Sequence, residues 1–188
     1  MTTHPATAAP PARDQYARPL IIALLGGCAV ALALGLYAKL HHPAKYALDV
    51  GGFSSPLYAK AWLTTFAAAF AVVQLGTGYR LTRRTDAPAW VATLHRWSGR
   101  IAVLLTVPVI IHCIYALGFQ ATSARVLAHS VLGCVFYGAF VAKMLSLVRR
   151  DTMPQWVLPV LGGVVFVSLI ALWATSALWL FAAHGAHS

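Results

Sequence analysis

Five apolar stretches, each long enough to cross a membrane, determine what this chain can fold into. An α-helix needs roughly 20 apolar residues to span the hydrocarbon core of a bilayer. The stretches are about Pro19–Leu40, Pro56–Tyr79, Trp97–Gly118, Val126–Val148 and Gln155–Ala183. We therefore predict an all-α integral membrane bundle with five transmembrane helices over residues 19–183. Residues 1–18 are predicted to be a disordered cytoplasmic tail, and residues 184–188 a short outer tail.

The basic residues predict how this bundle is oriented. Ten of them lie in the N-terminal tail and in the 80–100 and 143–151 connections, whereas Lys39, Lys45, Lys60 and Arg125 lie on the opposite side. Because cytoplasmic loops carry an excess of Lys and Arg, we predict a cytoplasmic N-terminus in a multi-pass protein of the plasma membrane. The net charge of +10 is then a topology signal. The expected partner is the lipid bilayer and not nucleic acid.

Acidic residues are scarce, which excludes one class of mechanism. The chain has no glutamate, and its four aspartates all lie outside the apolar stretches. Carboxylate relays inside the membrane are common in pumps and transporters, so that class is not expected here. The three cysteines form no CxxC pattern and are interpreted as buried free thiols.

His112 and His129 are the most informative polar pair. Each lies inside an apolar stretch, and the connector 119–123 is short, so the two helices are predicted to be antiparallel neighbours. The midpoint between the histidines falls at the centre of the connector, which places both at equal depth, roughly 8 Å inside the helix ends. Two imidazoles at one level can ligate one haem b. The alternative is that each histidine hydrogen-bonds across helices without a cofactor.

Residues near this pair suit a flat apolar cofactor. Gly133 lies one turn after the second histidine and leaves room for a ring, and Phe136 continues that helix face. Pro108 is expected to kink the third helix and to open space beside the first histidine. Arg125 lies just beyond the predicted outer site, where it can pair with a haem propionate.

A second polar cluster lies at the predicted cytoplasmic end. It comprises His95, Arg96, Ser98 and Arg100, and Lys143 can reach the same level. Such a cluster can hold a quinone head group or haem propionates, or it can cap the helix and anchor it at the membrane surface. His95 has no second histidine at its level. It is therefore interpreted as an interfacial group, and one haem is expected instead of two.

Four histidines at the predicted outer surface suggest a rival function. They are His41, His42, His184 and His187. Together they can bind copper or zinc. Flexible terminal histidines are more often solvated, so this interpretation ranks below the haem site.

The pattern His95-Arg96-Trp97-Ser98-Gly99, His112 and His129 resembles small membrane b-type cytochromes, the group that includes cytochrome b561 and ferric-reductase-like proteins. The resemblance implies bis-histidine haem in a four-helix core. The stretch 129–138 is similar to a family of uncharacterised five-helix actinobacterial membrane proteins. His-Arg-x-Ser-Gly also resembles the quinone-site signature of the succinate dehydrogenase cytochrome subunit.

These observations predict a haem b-binding membrane electron-transfer protein. It would relay electrons between the quinol pool and a redox protein on the outer face, as the cytochrome b component of an oxidoreductase. The alternative is a non-enzymatic anchor or assembly subunit of a respiratory complex, including one that handles copper. A cofactor-free structural protein is the third hypothesis.

Overall fold

The computed structural model describes residues 13–44, 55–83 and 86–185. These ranges contain five helical runs that are long and apolar enough to cross a membrane. The helices are α1 (Arg13–Leu40), α2 (Pro56–Arg83), α3 (Ala89–His112), α4 (Ala124–Val148), α5 (Val157–Trp173) and α6 (Trp179–His184), of which α6 continues the run of α5. The prediction of an all-α bundle with five helices capable of spanning a membrane is therefore confirmed.

Three helices extend beyond the apolar stretches at one end of the bundle. α1 begins at Arg13 instead of Pro19, so it includes residues 13–18 of the predicted tail. α2 continues to Arg83, and α3 begins at Ala89 instead of Trp97. A hydropathy pattern locates only the part of a helix that lies in lipid, whereas polar residues with good helix propensity can extend it further. Residues 1–12 and 186–188 of the two predicted tails lie outside the described residues.

The connection between α3 and α4 is short and tightly built. After α3 the chain makes one π-helical turn, Cys113–Leu117, and then reverses at Gly118, whose φ of 69° is in the left-handed region that favours glycine. Ser123 caps α4 by accepting a hydrogen bond from the backbone N–H three residues further on, at 3.3 Å. We call the end of the bundle with Gly118–Ser123 the connector end. The opposite end, with the α2–α3 and α4–α5 connections, is called the basic end.

α3 and α4 are antiparallel and are joined by a Tyr137–Thr106 hydrogen bond, but their backbones do not pack closely against each other as predicted. α3 packs against α2, whereas α4 packs against α1 and α5. The reason is a close approach of α1 and α4: a Cβ on Gly27 would lie 2.5 Å from the carbonyl oxygen of Gly138 and 2.8 Å from the Cβ of Ala142. Small residues of this kind let helix backbones meet, and such packing drives helix association in lipid. α4 is thus held by α1, which leaves space between α3 and α4.

Polar side chains join α2 to its two neighbours. Gln74 Nε2 donates to Ser98 Oγ of α3 at 2.8 Å. Trp173 Nε1 of α5 donates to Thr65 Oγ1 at 3.0 Å. Because hydrocarbon offers no hydrogen-bond partners, such side chains must find each other inside the bundle. α2 therefore holds α3 on one side and α5 on the other.

Candidate functional site

A cavity of about 380 Å³ fills the space between α3 and α4. It extends from Thr106 and Tyr137 in the interior to Gly118–Gln120 at the connector end, and all five spans contribute to its walls. Most of the lining is aliphatic or aromatic. Small-molecule sites are typically largely apolar cavities of about 300–1000 Å³ with a few polar groups. The cavity therefore has the size and character of a ligand site.

Two π-helical turns border this cavity. The first, Cys113–Leu117, follows α3 directly, and the Gly118 N–H bonds to the carbonyl five residues back, Cys113 O, at 2.9 Å. The second, Ala174–Leu178, lies between α5 and α6. Pro108, which was expected to kink the third helix, lies inside α3, and α3 continues through it. Single π turns inside α-helices occur frequently at functional sites because they redirect side chains.

His129 is the histidine that faces the cavity. It lines the wall on α4, and its Nδ1 lies 3.0 Å from Thr175 Oγ1 on the second π turn. The Thr175 hydroxyl also lies 2.7 Å from the carbonyl of Ala171. If its one proton is donated there, the hydroxyl accepts from the imidazole, so that Nδ1 carries the ring proton and Nε2 keeps its lone pair. A histidine held in this way through one nitrogen is oriented for metal ligation through the other.

His112 lies at nearly the same depth as His129. Tyr137 of α4 donates to Thr106 Oγ1 of α3 at 2.8 Å, which fixes the register of the two helices. His112 follows Thr106 by six residues and His129 precedes Tyr137 by eight. At about 1.5 Å per residue, the two histidines differ in depth by about 3 Å.

The two histidines do not share one wall of the cavity. His112 is 7% exposed and is not among the described residues that line the cavity. It lies 14 residues after Ser98, or about 40° away around an ideal helix, and Ser98 contacts α2. The Gln74–Ser98 hydrogen bond sets the register of α2 against α3. Because Lys60 precedes Gln74 by 14 residues, as His112 follows Ser98 by 14, this register places Lys60 beside His112. His112 is thus buried on the α2 side of α3, and its neighbour Cys113 occupies the cavity wall.

Two cations line the cavity near the connector end. Lys60 is half-buried on the second turn of α2, and Arg125 is half-buried on the first turn of α4. Arg125 Nη1 donates to Thr175 O at 2.7 Å, and its guanidinium lies 3.8 Å from the centre of the Trp179 ring. The described residues that line the cavity include these two cations and no carboxylate. This part of the lining therefore carries positive charge.

The other predicted residues of this site also reach the cavity. Gly133 and Phe136 both line it. A Cβ built on Gly133 meets nothing within 4 Å, so the glycine leaves open space. Phe136 is 1% exposed and packs edge-on against Tyr137, with the ring centres 5.0 Å apart. Sequence reasoning missed Lys60, Thr175 and Tyr137, although a search for polar side chains inside apolar stretches would have found them.

The predicted cluster at the basic end is divided between two surfaces. His95 and Ser98 face α2: Thr77 Oγ1 lies 2.9 Å from His95 Nδ1, and Gln74 Nε2 donates to both the Ser98 hydroxyl and the His95 carbonyl. Arg96 and Arg100 are exposed, and the Arg100 guanidinium stacks on Trp97 at 5.1 Å. These four α3 residues therefore form one pair that faces α2 and one pair that is exposed, because adjacent helix positions point in different directions.

Lys143 is half-buried on α4. Its Nζ lies 3.8 Å from the position that a Cβ would take on Gly162 of α5. That Lys143 reaches the level of His95 stays a prediction.

The histidines at the connector end do not form a metal centre in the described part of the chain. His41 stacks between Tyr37 and Tyr115, with ring centres 5.2 and 4.9 Å away. His184 lies against Trp179 at 6.1 Å. No group of three metal-ligating side chains converges among residues 13–44, 55–83 and 86–185. His187 lies outside these ranges.

Five long apolar helices around a cavity are typical of a multi-pass helical membrane protein. The chain belongs to the family described as a family of unknown function (DUF6529), whose model matches residues 20–188. That match includes all of the cavity walls. No curated protein and no solved structure matches the chain.

Proposed function

We propose that this protein binds one haem b in the cavity between α3 and α4 and transfers electrons across the outer half of the membrane. The observation that carries the proposal is His129: its Nδ1 is held by Thr175 at 3.0 Å, which leaves Nε2 available to an apolar cavity. A hydrogen bond that fixes one ring nitrogen while the other stays free is characteristic of histidines that ligate metals. Haem would supply one-electron redox chemistry at this position.

The residues around the cavity fit this cofactor. Gly133 leaves room for a planar ring, and the aliphatic and aromatic walls match the porphyrin. Arg125 offers a cation to a propionate near the connector end. The chain's own contribution is to orient His129 through Thr175, to exclude water with apolar walls, and to place positive charge at the rim.

His112 is the proposed second ligand. In the structure it lies at the level of His129 but is buried outside the cavity lining, so its ligation would require a local rotation of α3. That rotation is part of the proposal. Cys113, which already lines the cavity, is the competing ligand.

The test is optical. Protein expressed with added haem and purified in detergent should show a Soret band and a sharp α band after reduction. Both bands should disappear in His129→Ala and His112→Ala and remain in the control His95→Ala. If Cys113→Ala removes the bands and His112→Ala does not, the second ligand is Cys113. A well-folded, colourless protein would exclude haem and favour an anchor or assembly subunit.

The proposed electron path follows from the depth of the site. With the N-terminus in the cytoplasm, as the charge distribution favours, the connector end faces outward. The haem would then lie in the outer half of the bilayer of the plasma membrane, between membrane quinol and a redox protein at the outer face. A soluble quinol should reduce the haem in proteoliposomes, and a soluble one-electron acceptor on the connector side should reoxidise it. Absence of reduction by any quinol would remove quinol from the proposal.

A further inference from the structure

Lys60 is the polar group of the cavity that the proposed haem ligation leaves unexplained. It lines the cavity from α2, and Arg125 lines it from α4. Both residues lie within the first two turns of their helices, at the connector end. A half-buried cation in an apolar wall loses hydration, and a facing anion is what compensates that loss. No described aspartate lies at this end of the bundle.

We propose that Lys60 and Arg125 together hold the acidic groups of the cavity's ligand. This inference rests on the proposed function and predicts how the ligand is oriented in the cavity. The apolar ring lies towards Gly133 and Phe136, and its carboxylates lie at the connector end. Two cations match the two propionates of a haem. The site thus takes a flat apolar dianion, and Lys60 is a ligand-binding residue and not only a topology signal.

Arg125 makes structural contacts that are not seen for the Lys60 side chain among the described residues. Its guanidinium is hydrogen-bonded to Thr175 O at 2.7 Å and stacked on Trp179 at 3.8 Å, so replacing it also disturbs the residue that holds His129. At Lys60 it is the backbone carbonyl that accepts a hydrogen bond, from Thr64 Oγ1 at 2.8 Å. Lys60→Met therefore removes the charge and keeps both the length of the side chain and the backbone contact. It is the cleaner probe.

The experiment compares two ligands in two lysine variants. Apoprotein in detergent is titrated with haem b and with haem b dimethyl ester, in which both propionates are esterified. The ester has the same ring and iron but no negative charge. Lys60→Met is the test variant, Lys60→Arg keeps the charge, and Lys143→Met is the matched control because Lys143 is the half-buried lysine at the other end of the cavity's helices.

We expect Lys60→Met to weaken haem binding by on the order of tenfold, the usual effect of one charge-assisted hydrogen bond. Binding of the ester should change by less than about twofold, because the ester cannot use the cation. Lys60→Arg and Lys143→Met should bind both ligands as the unsubstituted protein does. The midpoint potential should also fall in Lys60→Met, since losing a nearby positive charge stabilises the ferric state.

Several results would overturn the inference. Equal losses for haem and ester in Lys60→Met would mean that the lysine acts through packing. No loss of affinity for either ligand in Lys60→Met would mean that the lysine side chain only extends to the membrane surface. Both results leave the haem function intact, because the ligands still bind. If neither ligand binds, or if both bind to His129→Ala as tightly as to the unsubstituted protein, the proposed haem site is wrong. The proposed role of Lys60 and Arg125 in holding the ligand then fails as well.

Discussion

Replacing Gly27 by alanine is the most direct test of how the cavity is formed. In our explanation, the cavity between α3 and α4 exists because α4 is held against α1. At Gly27 an added Cβ would lie 2.5 Å from Gly138 O, and ordinary contact begins at 3.4 Å. The helices would have to separate by 3.4 − 2.5 = 0.9 Å. The obstructing atom belongs to the backbone and cannot rotate away.

The size of the effect follows from two opposing contributions. Overpacking a tight interface costs about 1–3 kcal/mol. Alanine has a better helix propensity than glycine by about 1 kcal/mol. We therefore expect Gly27→Ala to lower the free energy of unfolding by up to about 2 kcal/mol. The same substitution at Gly133, where nothing lies within 4 Å of the added Cβ, should raise it by up to about 1 kcal/mol.

Other glycines turn this comparison into a graded series. At Gly138 the nearest atom to an added Cβ is 2.7 Å away, and at Gly35 it is Cys134 Sγ at 3.5 Å. The predicted order of stability is Gly133→Ala, Gly35→Ala, Gly138→Ala and Gly27→Ala, from most to least stable. Thermal unfolding followed by circular dichroism in one detergent gives the ranking. If Gly27→Ala is as stable as Gly133→Ala, α1 and α4 do not pack closely, and this explanation of the cavity is refuted.

Four further predictions concern the site and the topology. Gly133→Leu should fill the cavity and abolish the Soret band, whereas Gly163→Leu, which also has open space around its Cβ, should keep it. Thr175→Val removes the partner of the histidine Nδ1 and should weaken haem binding about 10–100-fold in a titration. Gln74→Leu breaks the α2–α3 hydrogen bonds and should cost about 1–3 kcal/mol in unfolding without changing the haem spectrum. A single cysteine at Gln120 should react with a membrane-impermeant maleimide added outside intact cells, and protection until lysis would reverse the predicted orientation.

The five spans could be predicted from the sequence because membrane insertion depends on local hydropathy. Nearly all of each apolar stretch is helical in the structure, and the errors lie at the ends, where Arg13–Arg18 and the turns before Trp97 continue the helices into polar sequence. Which helices pack together depends on contacts between distant positions. The short connector suggested that α3 and α4 form a pair, but the Gly27–Gly138 approach outweighs chain proximity.

The depth of the two histidines in the membrane could be predicted from the sequence, but the direction in which each side chain points could not. Depth follows from residue counting, and the connector midpoint places His112 and His129 within about 3 Å of the level that the Thr106–Tyr137 hydrogen bond gives. Direction depends on helix rotation, which sequence spacing does not determine when a π turn intervenes. His129 therefore faces the cavity, whereas Cys113 lies on the wall where His112 was expected.

The packing and the chemistry of the site have one common cause. Because α1 holds α4 and α2 holds α3, the two helices that bear the histidines are held apart from opposite sides of the bundle. Polar side chains that cannot face lipid gather in the resulting space, and this explains why Lys60, Arg125, His129 and Thr175 all line one cavity. A cavity made only by poor packing would be lined by apolar groups alone and would tend to close. Retaining two cations and an oriented imidazole in it has a desolvation cost, and a bound anionic ligand with a metal centre would offset that cost.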